Sequence, residues 1–182
     1  VIRVYTPGTI TEAELLEDKS NNYIVAIGTG PGEAGMTWAD LSTGEFSAIV
    51  FHGEKARGQL LDEILRLDPV ECLVPGGTIE GLILDGMHLT TIDELPEAQE
   101  ARNMLLKHFG ANSLDSYGCE NEKLLQRTSA ALLSYLAQTH KGSLSHLRNL
   151  TTRPPRDFMH VDPYTLDALE IVATQRGNES SP

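Results

Sequence analysis

The residues with the clearest chemical spelling are Gly30-Pro31-Gly32-Glu33-Ala34-Gly35. They follow a strand-like run and match G-x-G-x-x-G, the pattern that cradles a dinucleotide pyrophosphate. That chemistry requires the last glycine to open a helix, whose N-terminal amides hold the phosphates. Here Met36-Thr37-Trp38-Ala39-Asp40-Leu41 alternates as a strand does, and the place of a ribose-binding acid is taken by Lys55. The motif reads as a hairpin loop; as a nucleotide site it would have to show saturable nucleotide binding. The carboxylates are the second candidate set. Phosphoryl cleavage by two metal ions needs several carboxylates brought together on the metals. The first core strand, Tyr23–Ile27, has no Asp or Glu, and the later strand has only Glu71. Asp40 ends a strand beside a turn, which it is expected to hydrogen-bond, and Asp62 and Glu63 fall on the wet side of an amphipathic helix.

Histidines and cysteines add little chemistry. His140 and His146 are six residues apart, which is not the i, i+4 spacing of a helical zinc pair. No G-x-S-x-G elbow is spelled, and no cysteine has a partner for nucleophilic catalysis. Cys72 lies in the apolar run Val70-Glu71-Cys72-Leu73-Val74 and reads as a small buried hydrophobe. With Cys119 it suggests a reduced, cytoplasmic chain. The expectation is no catalytic residue, no cofactor and no metal.

The elements that would carry these residues are legible from periodicity. Thr11-Glu12-Ala13-Glu14 spells a capping box, with a short helix over about 11–18. Tyr23–Ile27 is a strand by its branched and aromatic content, and Gly35–Leu41 and Glu45–Phe51 pair as an antiparallel hairpin across Ser42-Thr43-Gly44. Leu60, Leu61, Ile64, Leu65 and Leu67 mark a helix face over about 55–67, ended by Asp68-Pro69. Val70–Val74 reads as a strand buried on both faces. A short helix near 78–84 and a strand over His88–Ile92 follow. Ala98, Ala101, Leu105 and Phe109 define the next helix, closed by Gly110. Leu124, Leu125, Thr128, Leu132, Tyr135 and Leu136 define a longer one over about 121–138. Residues 142–162 read as irregular, with Arg153-Pro154-Pro155-Arg156 as a stiff extended linker, and Asp162-Pro163-Tyr164 opens a last helix to about 173. The order predicts an α/β fold, a mixed sheet with flanking helices.

Charge narrows the function classes. Of the 182 residues, 40% are hydrophobic, enough for one ordinary core, and the net charge is −12. Residues 1–139 hold 9 Lys and Arg against 21 Asp and Glu, whereas residues 140–182 hold 5 of each sign. Nucleic-acid affinity rests on Lys and Arg neutralising phosphates, so the first part is a poor DNA-binding body. Lys141, Arg148, Arg153 and Arg156 make a modest basic stretch that reads as scattered positive charge on a solvated linker, with direct DNA contact as the alternative. No apolar run reaches the ~20 residues a membrane helix needs, and the N-terminus lacks a signal-peptide pattern. The chain starts inside strand-like sequence and reads as an excised fragment.

Several motifs occur in a recognisable order: Arg3-Val4-Tyr5-Thr6-Pro7-Gly8-Thr9, Trp38-Ala39-Asp40-Leu41-Ser42-Thr43-Gly44-Glu45-Phe46, Leu73-Val74-Pro75, His108-Phe109-Gly110, Tyr135-Leu136 with Gln138-Thr139, and Asp167-Ala168-Leu169-Glu170-Ile171. In that order and spacing they resemble the connector domain of the MutS family of DNA mismatch repair proteins. The resemblance implies an RNase H-like connector over 1–140, a linker over 141–161 and the start of the core or lever domain over 162–182. It implies a non-enzymatic fragment of a parent ATPase, one that offers a surface to a MutL-type protein and meets DNA only through the parent's other domains. The mismatch wedge Phe-x-Glu and the phosphate loop G-x-x-x-x-G-K-[ST] are not spelled here. The core-domain helix departs from the family's Arg-rich stretch ending in Asn-Leu-Glu, which leaves a homologue working outside mismatch repair open. The RNase H-like resemblance keeps one alternative, a metal-dependent nuclease with a rearranged acidic site. The best surface candidate for a partner is the turn Ser116-Tyr117-Gly118-Cys119-Glu120-Asn121, in particular Tyr117, Gly118, Glu120 and Asn121. Its plain reading is a helix-entry loop with Glu120 or Asn121 as cap.

Overall fold

A computed structural model describes residues 22–76, 87–140 and 144–155. The expected helices at 11–18, 78–84 and 163–173 lie outside the described residues.

Three strands form the antiparallel half: β1 Ile24–Gly30, β2 Glu33–Asp40 and β3 Glu45–His52. Their alternation is a burial code with period two. Val25, Ile27, Met36, Trp38, Ile49 and Phe51 pack on one face, while Ile24, Ala26, Ala39, Phe46, Ala48 and Val50 pack on the other. The chain then turns helical in α1, Ala56–Leu67, which crosses β2 and β3 on the first face. Asp68 closes α1 in the left-handed conformation at φ 49° and donates its N–H to Ile64. β4, Glu71–Pro75, runs parallel to β1, and β5, His88–Ile92, runs parallel to β4. α2, Ala98–Phe109, and α3, Lys123–Thr139, cover the second face, with α3 against β1 and β2 and α2 against α3. Gly110 caps α2 at φ 63°, as expected. The strand order β5-β4-β1-β2-β3, three antiparallel strands and then two parallel ones, is the RNase H-like arrangement.

Close packing explains the glycines. A Cβ at Gly28 would lie 2.8 Å from Leu124 and Leu95, so β1 is bare where α3 crosses it. Gly32 sits at φ +70° in the β1–β2 turn with nothing near its missing side chain. The G-x-G-x-x-G spelling is therefore one turn glycine flanked by strand glycines: Gly30 ends β1 and Gly35 lies inside β2. Both cysteines are buried, and burial pushes the thiols up, Cys72 to about 12 and Cys119 to about 11.

Three expectations fail for tertiary reasons. Residues 144–153 do not form an irregular linker. A 3-10 turn at Leu144–His146 leads to a sixth strand, β6 Thr151–Arg153, which pairs in parallel with β3. Glu63 faces inward rather than outward, because Arg66 one turn on pairs with its carboxylate and satisfies it there. Leu65, assigned to the core face, is 54% exposed: α1 turns Ala56, Leu60, Glu63 and Ile64 inward, and Leu65 lies about 100° round the helix from Ile64.

Candidate docking turn and the strap that holds it

The candidate turn lies between α2 and α3. It is built by a 3-10 turn at Asp115–Tyr117, with Gly118 at φ 69° reversing the chain. Glu120 does not cap α3, nor does Asn121; the helix begins after Glu122 without a side-chain cap. Instead the Glu120 carboxylate reaches back across the loop. It accepts from the Leu114 amide at 2.6 Å and from the Arg102 guanidinium of α2 at 2.6 Å. The Arg102 hydrogen bond, then the Leu114 amide, hold the Glu120 carboxyl below its ordinary value. A capping residue would have satisfied the helix amides; Glu120 closes the loop that precedes them.

The rest of the turn is fastened from below. Gln126, buried on α3, donates to the carbonyls of Cys119 and Glu120 at 2.7 and 2.9 Å. The Tyr117 ring stacks on Phe109 with centroids 4.3 Å apart and planes at 18°. Gly118 is exposed, and a Cβ there would stand 3.1 Å from Thr152. Asn121 is exposed, Tyr117 and Glu120 half-buried. The structure thus brings Tyr117, Gly118 and Glu120 together on one braced loop and leaves Asn121 at its solvent end.

Sequence reading missed the partners that do the bracing. No motif singles out Arg102, and Thr152 and Arg153 fall in the stretch that reads as irregular linker. The one available signal was Gln126, a polar residue inside an otherwise apolar helical stripe. Thr152 donates its hydroxyl to the Tyr117 carbonyl at 2.7 Å. Arg153 pairs with Glu45 at 2.7 Å and lies 5.0 Å from the Trp38 ring centroid, within cation–π range. Glu45 also accepts from the Tyr23 hydroxyl at 2.9 Å, the Trp38 indole at 3.1 Å and Ser47 at 3.2 Å. Burial first, and Glu45 second, push the Tyr23 phenol above its ordinary value.

The other candidate chemistry has structural work. Asp40 is 1% exposed and accepts from the Ser42 amide at 2.8 Å, its hydroxyl at 2.6 Å and, more weakly, the Thr43 amide at 3.4 Å. It holds the β2–β3 turn, as expected. Glu71 is fully buried and accepts from Thr90 at 2.7 Å and from the Tyr135 hydroxyl. His140 and His146 have ring centroids 6.4 Å apart, and among the described residues no group of three or more His, Cys, Asp or Glu is arranged to hold a metal ion. Beside Gly30 and Pro31, a cleft of about 290 Å³ opens toward the starts of α2 and α3. Glu33, Glu97 and Lys123 line it, and its Arg127 is committed to the carbonyls of Pro96 and Leu95 at 2.8 and 3.1 Å. Among the described residues no helix is long and apolar enough to cross a membrane.

The sheet order and the braced turn define an RNase H-like α/β domain with one pre-formed surface loop. The profile of the family described as MutS domain II matches residues 22–148, and the chain belongs to that family. It is 36% identical to the DNA mismatch repair protein MutS of Syntrophomonas wolfei, over 97% of this chain and 21% of that protein. It is 38% identical to the DNA mismatch repair protein MutS of Dehalococcoides mccartyi, over 98% of this chain and 20% of that protein. With the MutS of Methanococcoides burtonii the identity is 32%, over 97% of this chain and 21% of that protein. The chain spans about one fifth of the length of the curated relatives it matches.

Proposed function

We propose that this chain is the non-catalytic connector of a MutS-type mismatch repair ATPase. It links the mismatch-binding part of the parent to its lever and ATPase parts, and it offers the turn Ser116–Asn121 to a MutL-type protein. The supporting observation is the pre-organisation of that turn. Glu120, Gln126 and Thr152 brace it with hydrogen bonds in the absence of any partner. A partner that meets a fixed loop does not have to order it, which lowers the cost of association. The connector body carries the acidic excess of the chain, so it can stand near DNA without adding non-specific affinity, and it can attract a basic partner face. DNA contact belongs to the parent's other domains, and a cytoplasmic location goes with that role. The connector itself is proposed to extend past residue 140 through Arg153, because β6 pairs with β3, with the linker to the lever following from Pro154.

The test is binding of this fragment to the N-terminal ATPase region of a cognate MutL-type protein at low and at moderate salt. Saturable binding weakened by Ser116→Arg or Asn121→Arg supports the docking turn, and a steep salt dependence identifies an electrostatic face. Saturable binding that neither variant changes moves the docking surface elsewhere on the domain. Absence of binding at both salt concentrations removes the docking part of the proposal.

A further inference from the structure

Residues 144–153 form a strap that touches α2, the β2–β3 turn and the candidate turn. Leu147 and Leu150 are buried in the α2–α3 core, at 0% and 3% exposure. The His108 ring of α2 meets the Leu147 carbonyl at 2.8 Å, and the His146 carbonyl lies where a Cβ on Gly44 would press at 3.3 Å. Thr152 then holds the candidate turn, and Arg153 is latched to Glu45 beside Trp38. Yet the strand content of the strap is only three residues, paired along β3. Pro154 and Pro155 follow directly, and with no N–H they cannot extend the ladder. A short edge strand held by a few side chains belongs to the low-stability end of a fold, where local opening occurs without global unfolding.

The strap and the turn share their fastenings. Leu114 and Cys119 of the turn belong to the same core cluster as Leu147 and Leu150, and Phe109 and Tyr117 pack against it. Lifting the strap withdraws Leu147 and Leu150 from that shared core and breaks the Thr152–Tyr117 hydrogen bond. We propose that residues 113–121 and 144–153 open as a single cooperative unit, so that load on the chain beyond Pro155 reaches the candidate docking turn through Thr152, Leu147 and Leu150. Arg153 is the latch of that unit, because it is the last strap residue tied to the rigid hairpin. The inference goes beyond the connector reading and holds whichever protein meets the turn, so its outcome is independent of the binding test above.

Residue-resolved amide hydrogen exchange on the intact 182-residue chain tests it. The strap reporters are the Leu147 and Arg148 amides, the turn reporters are Tyr117, Gly118 and Cys119, and Val25 and Ile27 in β1 serve as the global reference. In Arg153→Ala, strap and turn amides should speed up together by about fivefold to tenfold, the scale of one partly exposed charge-assisted hydrogen bond, with β1 unchanged. Thr152→Val should likewise speed both sets. Acceleration confined to the strap, acceleration of all three sets together, or no acceleration in either variant would each overturn the proposal.

Discussion

Two hairpin turns stand at opposite ends of β2, and each uses a glycine in the left-handed region, Gly32 at φ +70° and Gly44 at φ +77°. The turn at Gly32 has the more chemical spelling and few ties: its carbonyl accepts from the Gly53 amide at 2.8 Å, and nothing lies within 4 Å of a Cβ placed on Gly32. The turn at Gly44 is spelled as an ordinary Ser-Thr-Gly reversal and is a hub. Asp40 ties its backbone from inside, Glu45 gathers Tyr23, Trp38, Ser47 and Arg153, and the strap passes over Gly44. The difference shows that a local motif is a poor guide to how much structure depends on it. What counts is how many distant elements converge there.

Perturbing each side of that comparison should give a graded series. Trp38→Ala removes the largest fully buried side chain beside the Gly44 turn, and it should cost about 3–5 kcal/mol in urea unfolding. Asp40→Ala strips a buried turn of its acceptor and should cost about 2 kcal/mol. Gly32→Ala and Gly44→Ala both force an alanine into a left-handed site, at about 1–2 kcal/mol each. Gly44→Ala should be the costlier, because the His146 carbonyl lies 3.3 Å from its new methyl. Equal losses in thermal or chemical denaturation would mean the strap does not press on the Gly44 turn. Glu33→Ala beside Gly32 should change stability by about 0.5 kcal/mol or less, as surface positions do.

The smallest effect is one of pH. Glu120 titrates lower in the folded chain than it would unfolded, first because of Arg102 and then because of the Leu114 amide. A depressed carboxylate contributes stability that is complete above its unfolded value and is lost as pH falls through the folded one. On acidification, the Tyr117 ring resonances should therefore shift as the loop loosens, below the pH at which ordinary glutamates titrate. Arg102→Ala should move that midpoint upward. An unmoved midpoint would mean that Arg102 does not hold the loop.

Much of this fold could be read from the chain alone. The β2–β3 hairpin, the end of α1 at Asp68-Pro69, α2 with its Gly110 cap and β5 at His88–Ile92 all follow from periodicity and local stereochemistry. The site was only half legible. Tyr117, Gly118, Glu120 and Asn121 were recognisable as a surface turn, yet Glu120 was expected to cap a helix and instead closes a loop through Arg102, 18 residues away. Long side chains satisfy themselves with whatever the fold brings near, and no local pattern encodes that.

By itself the sequence determined the alternation of elements and the hairpin that Asp40 closes, because each depends on residues a few positions apart, and the family, because its motifs keep their order along the chain. Tertiary structure alone decided that Glu63 turns inward, that Leu65 is left in water and that Thr151–Arg153 becomes a strand. Three residues before a pair of prolines have no periodicity of their own. They form a strand because β3 offers an open edge, Leu147 and Leu150 anchor the approach to it, and Glu45 stands opposite Arg153.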